Sequence, residues 1–573
     1  MASPFAVCKF HMRGKVAAVH SFHKLQAFFR RGIGSDAVAV HAETVRKLQC
    51  DEQNGHRALH ILQEERRKQA QRSVLISCQV TTNEKKFLKY LSQHGDINKF
   101  FFYESYGLYA VVEFSSSESV ASLLESSVIP SVSHECVVPF KSRLLWLRNH
   151  SLVDSGGQTS GLVCQAQTTT PINELIHRIS TQESIEQQMM SLTEASQLTE
   201  ENSRLRFLVC SLLEDIATAY FPECTITPFG SSVNGFGKLG CDLDMFLNLD
   251  NIKGRNMRLP KSGLSLEYQM KRANSERAVT QSILSVIGEC VDQFGPGCVG
   301  VQKILNARCP LVRFSHQPSG FQCDLTANNR VAMKSTELLY LYGGLDARVR
   351  HLVFSVRCWA RVHGITSSIP GAWITNFSLT MMVLFFLQRR NPPIIPTLDQ
   401  LQQLAGPADK SIIDGNDCTF VSDFAKVQLQ SNTETLEQLL SAFFEFYATF
   451  NFSRLSINIR KGKEQNKPEM SPLHILNPFE TSLNISKNVN VTQLDRFVAL
   501  CQESSWLSQQ SRTLNPKKST SGKNTAMPWG LAALLLPLQV DGIKGRKKKT
   551  RELASERIKS LLVSLKKKDS PTS

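Results

Sequence analysis

Two absences in the 573-residue sequence argue against whole classes of protein. The fifteen cysteines include no Cys-x-x-Cys pair, which argues against a zinc ribbon or a redox dithiol and is typical of reduced cysteines inside a cell. No stretch reaches the roughly 18 consecutive apolar residues that a membrane-spanning helix needs. The apolar runs at 379–387 and 529–538 are therefore interpreted as core segments, and membrane insertion is not expected.

Acidic residues are absent before Asp36, whereas residues 1–35 contain six Lys or Arg. This acid-poor basic pattern is typical of a mitochondrial transit peptide, which we assign to residues 1–38. A disordered basic N-terminus is the alternative. Residues 39–72 are interpreted as a polar connector.

The formal net charge of +16 favours an anionic partner such as nucleic acid or an anionic membrane surface. Residues 540–573 contribute eleven Lys or Arg against four acids. We therefore expect a basic, largely disordered tail at 510–573. Such a tail attracts RNA phosphates without sequence preference, or is simply a solvated end.

Residues 73–148 are predicted to form a small α/β sandwich. The predicted elements are strand 74–78, helix 84–93, strand 99–103, strand 108–114, helix 117–126 and strand 135–139. Their order resembles an RNA-recognition motif, in which strand aromatics stack on bases. Tyr109 and Phe114 fit that signature, but Leu75 and Val111 do not. Packing or self-association is therefore favoured over RNA reading, and a Gly/Ser/Thr-rich linker follows at 149–171.

The stretch 229–247 combines a Gly-Ser turn with an acidic strand. Gly230, Ser231 and Ser232 offer backbone N–H groups and hydroxyls to a phosphate. Asp242 and Asp244 are two residues apart, so an extended strand points both carboxylates to one face. Two aligned carboxylates suit a hard divalent cation such as Mg²⁺.

A third acid, Asp324, lies in the middle of a predicted strand at 321–326 that forms a hairpin with a predicted strand at 307–314. An unpaired carboxylate is unfavourable there unless it binds something. Gly230-Ser231, Asp242-x-Asp244 and Asp324 together resemble the DNA polymerase β-like nucleotidyltransferase superfamily. The segments at 338–361 and 477–480 are similar to the non-canonical poly(A) and poly(U) polymerases.

The resemblance implies an α+β fold. A nucleotidyltransferase palm with a mixed sheet at 206–334 would be accompanied by a mainly helical central domain at 172–205 and 335–509, after the RRM-like sandwich. It also implies a two-metal site for Mg²⁺ or Mn²⁺ that joins AMP from ATP to an RNA 3′ end. Asp242 and Asp244 would hold both metals, and Asp324 the metal that activates the RNA 3′-hydroxyl.

By the same resemblance, the nucleotide would be held by a larger set of residues. Arg357 and Arg361, four apart on a predicted helix, can clamp triphosphate oxygens; a solvated basic face is the alternative. Phe377 can stack on the base or be a core residue. The full expected set is Gly230, Ser231, Ser232, Ser335, Arg357, Arg361, Asn376, Phe377 and Asn477.

The loop 477–480 resembles the one that faces the base, and no histidine occurs between residues 475 and 490. Because uridylyl-adding relatives commonly carry a histidine there, adenine is favoured over uracil. The sequence therefore predicts a template-independent RNA 3′-adenylyltransferase of the mitochondrial matrix. A terminal uridylyltransferase, a broad-specificity enzyme and a catalytically silent RNA-binding module are the alternatives. The resemblance also implies a homodimer formed through the RRM-like domain.

Overall fold

The computed structural model describes residues 58–128, 141–148, 162–250, 275–513 without 368 and 370, and 528–537. The predicted transit peptide at 1–38 and the predicted strand at 135–139 lie outside these residues. The helices are α1 (Leu59–Gln71), α2 (Glu84–Leu91), α3 (Ser117–Ser126), α4 (Ile172–Ser180), α5 (Ile185–Ser196), α6 (Glu200–Thr218), α7 (Glu276–Phe294), α8 (Arg330–Leu345), α9 (Ala347–Val362), α10 (Asn376–Gln388), α11 (Leu398–Gln403), α12 (Leu436–Thr449), α13 (Val491–Thr513) and α14 (Leu531–Leu534).

The strands form two larger sheets and two short ribbons. They are β1 (Ser73–Cys78), β2 (Ile97–Glu104), β3 (Leu108–Phe114), β4 (Leu144–Trp146), β5 (Thr225–Pro228), β6 (Leu243–Asn248), β7 (Cys298–Ile304), β8 (Leu311–His316), β9 (Phe321–Thr326), β10 (Ile412–Ile413), β11 (Asn416–Asp417), β12 (Leu455–Ser456) and β13 (Gln465–Asn466). The fold is mixed α/β, as the sequence predicts.

The N-terminal sheet has the strand order β2-β3-β1-β4. Strands β1, β2 and β3 pair antiparallel, whereas β4 runs parallel to β1. Apolar side chains from alternate strand positions, such as Val74 and Val112, pack with Phe87 of α2 and Leu123 of α3. The alternation of a β-strand therefore gives this sheet one helix-covered face, and the predicted bounds of β3 and α3 are confirmed.

The opposite face of this sheet packs against the unit that contains the second sheet. Leu75, Phe101, Tyr103 and Val111 belong to the same buried cluster as Val312 and other residues of that second sheet. The Tyr103 hydroxyl donates to the Pro318 carbonyl at 2.7 Å. The face on which an RNA-recognition motif stacks bases is thus occupied within the chain, which supports a packing role for this unit.

Helix α6 packs against β5 of the second sheet and is tied to the N-terminal sheet by an ion pair. Thr199 caps the helix by accepting a hydrogen bond from the backbone N–H of Asn202. Glu113 of β3 is buried and accepts from Arg72 and from Arg204 of α6. The predicted boundary between residues 205 and 206 falls inside this continuous helix.

The second sheet has the order β5-β6-β9-β8-β7, with only β6 and β9 parallel to each other. This is the predicted mixed palm sheet, and β9 has the predicted bounds. The prediction of one strand over 307–314 is wrong at its beginning. There the carbonyls of Asn306, Ala307 and Arg308 accept hydrogen bonds from Arg277 and Pro310 has no N–H to pair, so the strand begins at Leu311.

The central domain is built around α10, whose residues from Ser378 to Gln388 are all buried. A helix that is apolar on every side belongs inside a protein, and α9 and α12 pack against it within one buried cluster. The interpretation of 379–387 as a core segment is confirmed. Helix α8 runs from the palm into this domain, so the predicted boundary at 334/335 also falls inside a helix.

Residues 528–537 differ from the predicted disordered tail. Leu531, Ala532, Leu534 and Leu535 are buried in the central core, and Gln188 of α5 accepts from the backbone N–H of Leu531 at 2.7 Å. The apolar run therefore returns to the core, because burial of its leucines outweighs the polar character of the chain around it. Within the described residues, no helix is both long and apolar enough to cross a membrane.

Candidate active site

Three aspartates share one face at the centre of the palm sheet. Asp244 of β6 and Asp324 of β9 are paired in register on adjacent parallel strands. Asp242 immediately precedes β6, two residues before Asp244, so its side chain extends on the same side. The structure brings together the three acids that the sequence predicts as a set.

These carboxylates repel one another. Burial raises the pKa of Asp244 to about 7, and the negative charges of Asp324 and Asp242 contribute to that rise. Burial and the charge of Asp324 likewise raise the pKa of Asp242. Arg206 and Arg313 oppose both shifts. The site therefore has an excess of negative charge that a cation would relieve.

Arg313 already binds one of the three acids. It is the cross-strand partner of Asp324 on β8, and its Nε and Nη2 donate to the two carboxylate oxygens at 2.8 and 2.6 Å. Sequence reasoning did not assign Arg313 a role. The signal was available, because its place in the predicted hairpin opposes Asp324.

The donor set fits Mg²⁺ or Mn²⁺, which prefer carboxylate oxygens. Within the described residues, no three Asp, Glu, His or Cys side chains form a ready-made metal cage. That result is consistent with the bidentate hold of Arg313 on Asp324. The mutual repulsion of three carboxylates on one face is the observation that supports a cation here.

Gly230 brings the backbone against Asp244. The turn Gly230–Ser232 follows β5, and Gly230 has φ +62°, a conformation that side chains disfavour. A Cβ built on Gly230 would lie 2.9 Å from Asp244 Oδ2. The Gly230 N–H donates to the Thr336 hydroxyl at 3.0 Å, so Thr336 of α8 holds the turn. Sequence reasoning missed Thr336, because the two residues are 106 positions apart.

The two serines of the turn face different surroundings. Ser232 is buried, and its hydroxyl accepts from Arg206 Nη1 at 2.9 Å. Ser231 is partly exposed, and its hydroxyl lies 3.4 Å from Cys241 Sγ. Of the two expected phosphate contacts, Ser231 is thus the accessible one, whereas Ser232 supports the turn from inside.

Arg206 of α6 lies completely buried beneath the site. Its guanidinium donates to the carbonyls of Cys241 and Asp242 at 2.7 and 2.9 Å, and to the Ser232 hydroxyl. It therefore ties the serine turn to the start of the acidic strand. This residue was not identified from sequence, since its helix looks like an ordinary core helix.

Three cations gather on the other side of the turn. Arg357 and Arg361 lie one turn apart on α9, as predicted, and Arg357 Nη1 donates to the Phe236 carbonyl at 2.7 Å. Burial, followed by the charges of Arg361 and Arg357, lowers the pKa of Lys238. No carboxylate in the described part of the chain forms an ion pair with any of the three. Such unneutralised clustering is favourable only beside an anion.

The remaining expected nucleotide contacts are spread over two elements. Asn376 is exposed in the first turn of α10, and Phe377 is half-buried there and packs against the central core. The Ser335 hydroxyl donates to the Val331 carbonyl within its own helix. The Asn477 side chain accepts from the backbone N–H groups of Phe479 and Glu480, which shapes the loop 477–480.

One ion pair spans the palm and the central domain beside that loop. Arg308 Nη2, in the segment before β8, lies 2.5 Å from Glu480 Oε1. The loop is thereby held against the edge of the palm.

Three family models match the chain. The model described as "Poly(A) RNA polymerase, mitochondrial-like, central palm domain" matches residues 185–344. An RL domain model matches residues 58–128, and the model "Cid1 family poly A polymerase" matches residues 435–486.

Full-length relatives are similar over most of their length. A mouse protein named "Poly(A) RNA polymerase, mitochondrial" is 59% identical over 515 residues, which is 89% of this chain and 86% of the relative. The crystal structure of mtPAP with ATPγS superposes with a TM-score of 0.78 at 54% identity, covering 84% of this chain and 100% of that one. The mtPAP structure with UTP gives 0.77 at the same identity and coverage.

Proposed function

Because the chain belongs to the family of mitochondrial poly(A) RNA polymerases, we propose that it adds AMP from ATP to RNA 3′ ends without a template. The observation that supports this most is the set of three register-related aspartates beside a Gly-Ser turn and a cationic cluster. That arrangement suits transfer of a nucleotidyl group from a triphosphate to a hydroxyl, with pyrophosphate as the leaving group.

In this proposal Asp242, Asp244 and Asp324 would hold two divalent cations. Such cations would supply a lowered pKa of the RNA 3′-hydroxyl and neutralisation of phosphate charge. The chain itself orients the two reactants and provides no covalent nucleophile. Arg206 and Thr336 hold the turn and the acidic strand in position.

The triphosphate is assigned to Ser231 and to the cluster of Lys238, Arg357 and Arg361. The cluster lies next to the turn, since Arg357 binds the carbonyl of Phe236 and the backbone of the following Gly237 lies against the Ser231 carbonyl. Three cations without a carboxylate partner among the described residues attract the charge of a β,γ-phosphate group. Lys238 extends the set that the sequence predicts.

For the base, we propose contact with Phe377 and with the loop that Asn477 shapes. Phe377 has accessible ring surface, and ring stacking is tolerant of base identity. Choice of adenine must therefore come from polar groups of the loop. Because mtPAP has been crystallised with UTP as well as ATPγS, the decisive measurement is competition rather than binding.

The test is single-nucleotide extension of an oligo(A) primer with ATP and UTP at equal concentration. We expect preference for ATP, and loss of extension in Asp324→Ala with an unchanged melting temperature. Asp292→Ala, an exposed acid on α7, is the matched control and should remain active. Preference for UTP would favour the uridylyltransferase, and activity in Asp324→Ala would refute the assigned third ligand.

We also propose a homodimer formed by the N-terminal sheet. Among the described residues, β4 is an edge strand of this sheet and exposes Trp146, whose exposed fraction is 74%; an edge strand is a surface for pairing. Deleting residues 73–148 is an unsuitable test, because that unit shares its core with the palm. Trp146→Glu should halve the mass measured by light scattering, while Tyr106→Glu, at an exposed aromatic in the turn between β2 and β3, should not.

We assign the protein to the mitochondrial matrix, with residues 1–38 as its import signal. These residues are basic and lack acids before Asp36. Fusing residues 1–38 to a fluorescent protein should direct it to mitochondria. Replacing the six Lys and Arg of the segment by Gln should abolish import, and cytosolic fluorescence of the native fusion would contradict the assignment.

A further inference from the structure

Asp324 and Arg313 form a bidentate ion pair inside the proposed metal site. Both oxygens of the carboxylate are used, at 2.8 and 2.6 Å from the guanidinium. The pair is antiparallel cross-strand, so the β8–β9 register sets its geometry. The Asp324 carboxylate therefore already binds a guanidinium when no metal ion is bound.

The two partners differ in how firmly the fold holds them. The side chain of Asp324 has an exposed fraction of 16%, whereas that of Arg313 has 47%. The carboxylate is set in the sheet, while the guanidinium lies at the surface on a flexible stem. Arg313 is thus the partner that can move away, and an exposed ion pair is weak enough to be exchanged.

The guanidinium also acts on the other acids. Asp324 is paired in register with Asp244 on the adjacent strand, so the guanidinium that binds Asp324 brings its positive charge to the face that carries the other acids. Arg313 supplies part of the charge balance that a divalent cation would supply. A metal ion and Arg313 are therefore alternatives for the same carboxylate face.

We propose that Arg313 is a positioning residue that occupies Asp324 in the metal-free enzyme and is displaced when a divalent cation binds. This inference rests on the proposed function, because it takes Asp324 as a ligand. It assigns the chain an internal guanidinium that competes with the metal for the two oxygens of Asp324 through a bidentate contact. The ion pair holds Asp324 in place when no metal is present, at the cost of metal affinity.

The test measures Mn²⁺ binding to the full chain without nucleotide, by electron paramagnetic resonance of the free ion. Arg313→Gln removes the competitor, and we expect about three- to fivefold tighter binding, the range of an exposed ion pair. Arg313→Lys retains the charge but cannot make the bidentate contact. If displacement of the bidentate guanidinium contact causes the tighter binding, Arg313→Lys also binds Mn²⁺ more tightly than the native chain.

The control is Arg330→Gln, which removes a positive charge from an exposed pair with Asp250 outside the site. It should bind Mn²⁺ like the native chain. Tighter binding in Arg313→Gln but not in Arg313→Lys would mean that charge alone acts, and would overturn the inference. Native affinity in both Arg313 variants would overturn it as well.

Asp324→Ala separates this inference from the proposed function. Undiminished Mn²⁺ binding in that variant would show that Asp324 is no ligand, and the proposed site would fail with the inference. Loss of binding in Asp324→Ala together with native affinity in the Arg313 variants would refute only the inference. Melting curves establish whether each variant is folded. If Arg313→Gln does not fold, Arg313→Lys still tests the inference.

Discussion

Gly230 and Asp244 lie so close that no side chain fits between them. A Cβ on Gly230 would be 2.9 Å from Asp244 Oδ2, and the backbone there has φ +62°. Gly230→Ala should therefore displace the carboxylate or the turn and lower kcat about 100-fold, the usual cost of misplacing a reacting group. Gly240→Ala is the control: φ is +75° but open space surrounds the site of its Cβ. Equal loss in both variants would mean that backbone strain, not the contact, matters.

Arg206 should contribute to both stability and catalysis. Arg206→Met leaves the carbonyls of Cys241 and Asp242 without this donor, and we expect a loss of about 3 kcal/mol in the free energy of unfolding, the order of cost of unsatisfied buried acceptors. Arg206→Lys retains the positive charge but lacks the planar guanidinium, so we expect it to be more stable than Arg206→Met and less stable than the native chain. Chemical denaturation and the KM for ATP are the measurements. A methionine variant with native KM would contradict the role in positioning the serine turn.

The cationic cluster should govern affinity for ATP. Lys238→Met and Arg361→Gln each remove one positive charge from the assigned triphosphate site. We expect the KM for ATP to rise about tenfold in each, the effect of losing one charged hydrogen bond. The KM for RNA should not change, and Lys410→Gln, an exposed lysine elsewhere, should leave both values as they are. A rise in the KM for RNA alone would assign the cluster to the primer.

The sheet face around Tyr103 should matter for stability and not for RNA. Tyr103→Phe removes the hydrogen bond to the Pro318 carbonyl, and we expect a loss of about 1 kcal/mol in the free energy of unfolding. RNA affinity, measured by fluorescence anisotropy, should be unchanged because the ring is buried. A weaker RNA complex with native stability would indicate that this face reads RNA after all.

His316 should make the protein sensitive to acid. Burial lowers its pKa from 6.5 to about 4, so the folded state favours the neutral ring. As the pH falls from 6.5 towards 4, the unfolded chain takes up the proton first, and stability falls by about 3 kcal/mol in total. His316→Gln should flatten this part of the melting-temperature profile, whereas His60→Gln, on the exposed side of α1, should not. An unchanged profile would show that another group is responsible.

The sequence predicts what depends on local pattern. Strand alternation placed Asp242 and Asp244 on one face. The turn that ends at Gly320 marked the start of β9, and Asp324 lies in the middle of that strand. Helical spacing put Arg357 and Arg361 on one side of α9. These predictions needed only the repeat of a strand or a helix.

The residues that were missed act over long separations. Thr336 reaches Gly230, and Arg206 reaches Asp242, from elements far away in the chain. Lys238 became notable only when α9 placed two arginines next to it. The start of β8 was wrong because Arg277, some thirty residues earlier, holds the preceding carbonyls. No local pattern encodes such contacts.

The shared core of the N-terminal sheet and the palm has a thermodynamic consequence. If the palm unfolds, Leu75 and Val111 lose their apolar surroundings. If the N-terminal sheet unfolds, Val312 loses part of its apolar surroundings. Neither unit can open alone without exposing apolar surface on the other. Calorimetry should therefore record one cooperative melting transition for both, in which the calorimetric and van't Hoff enthalpies agree.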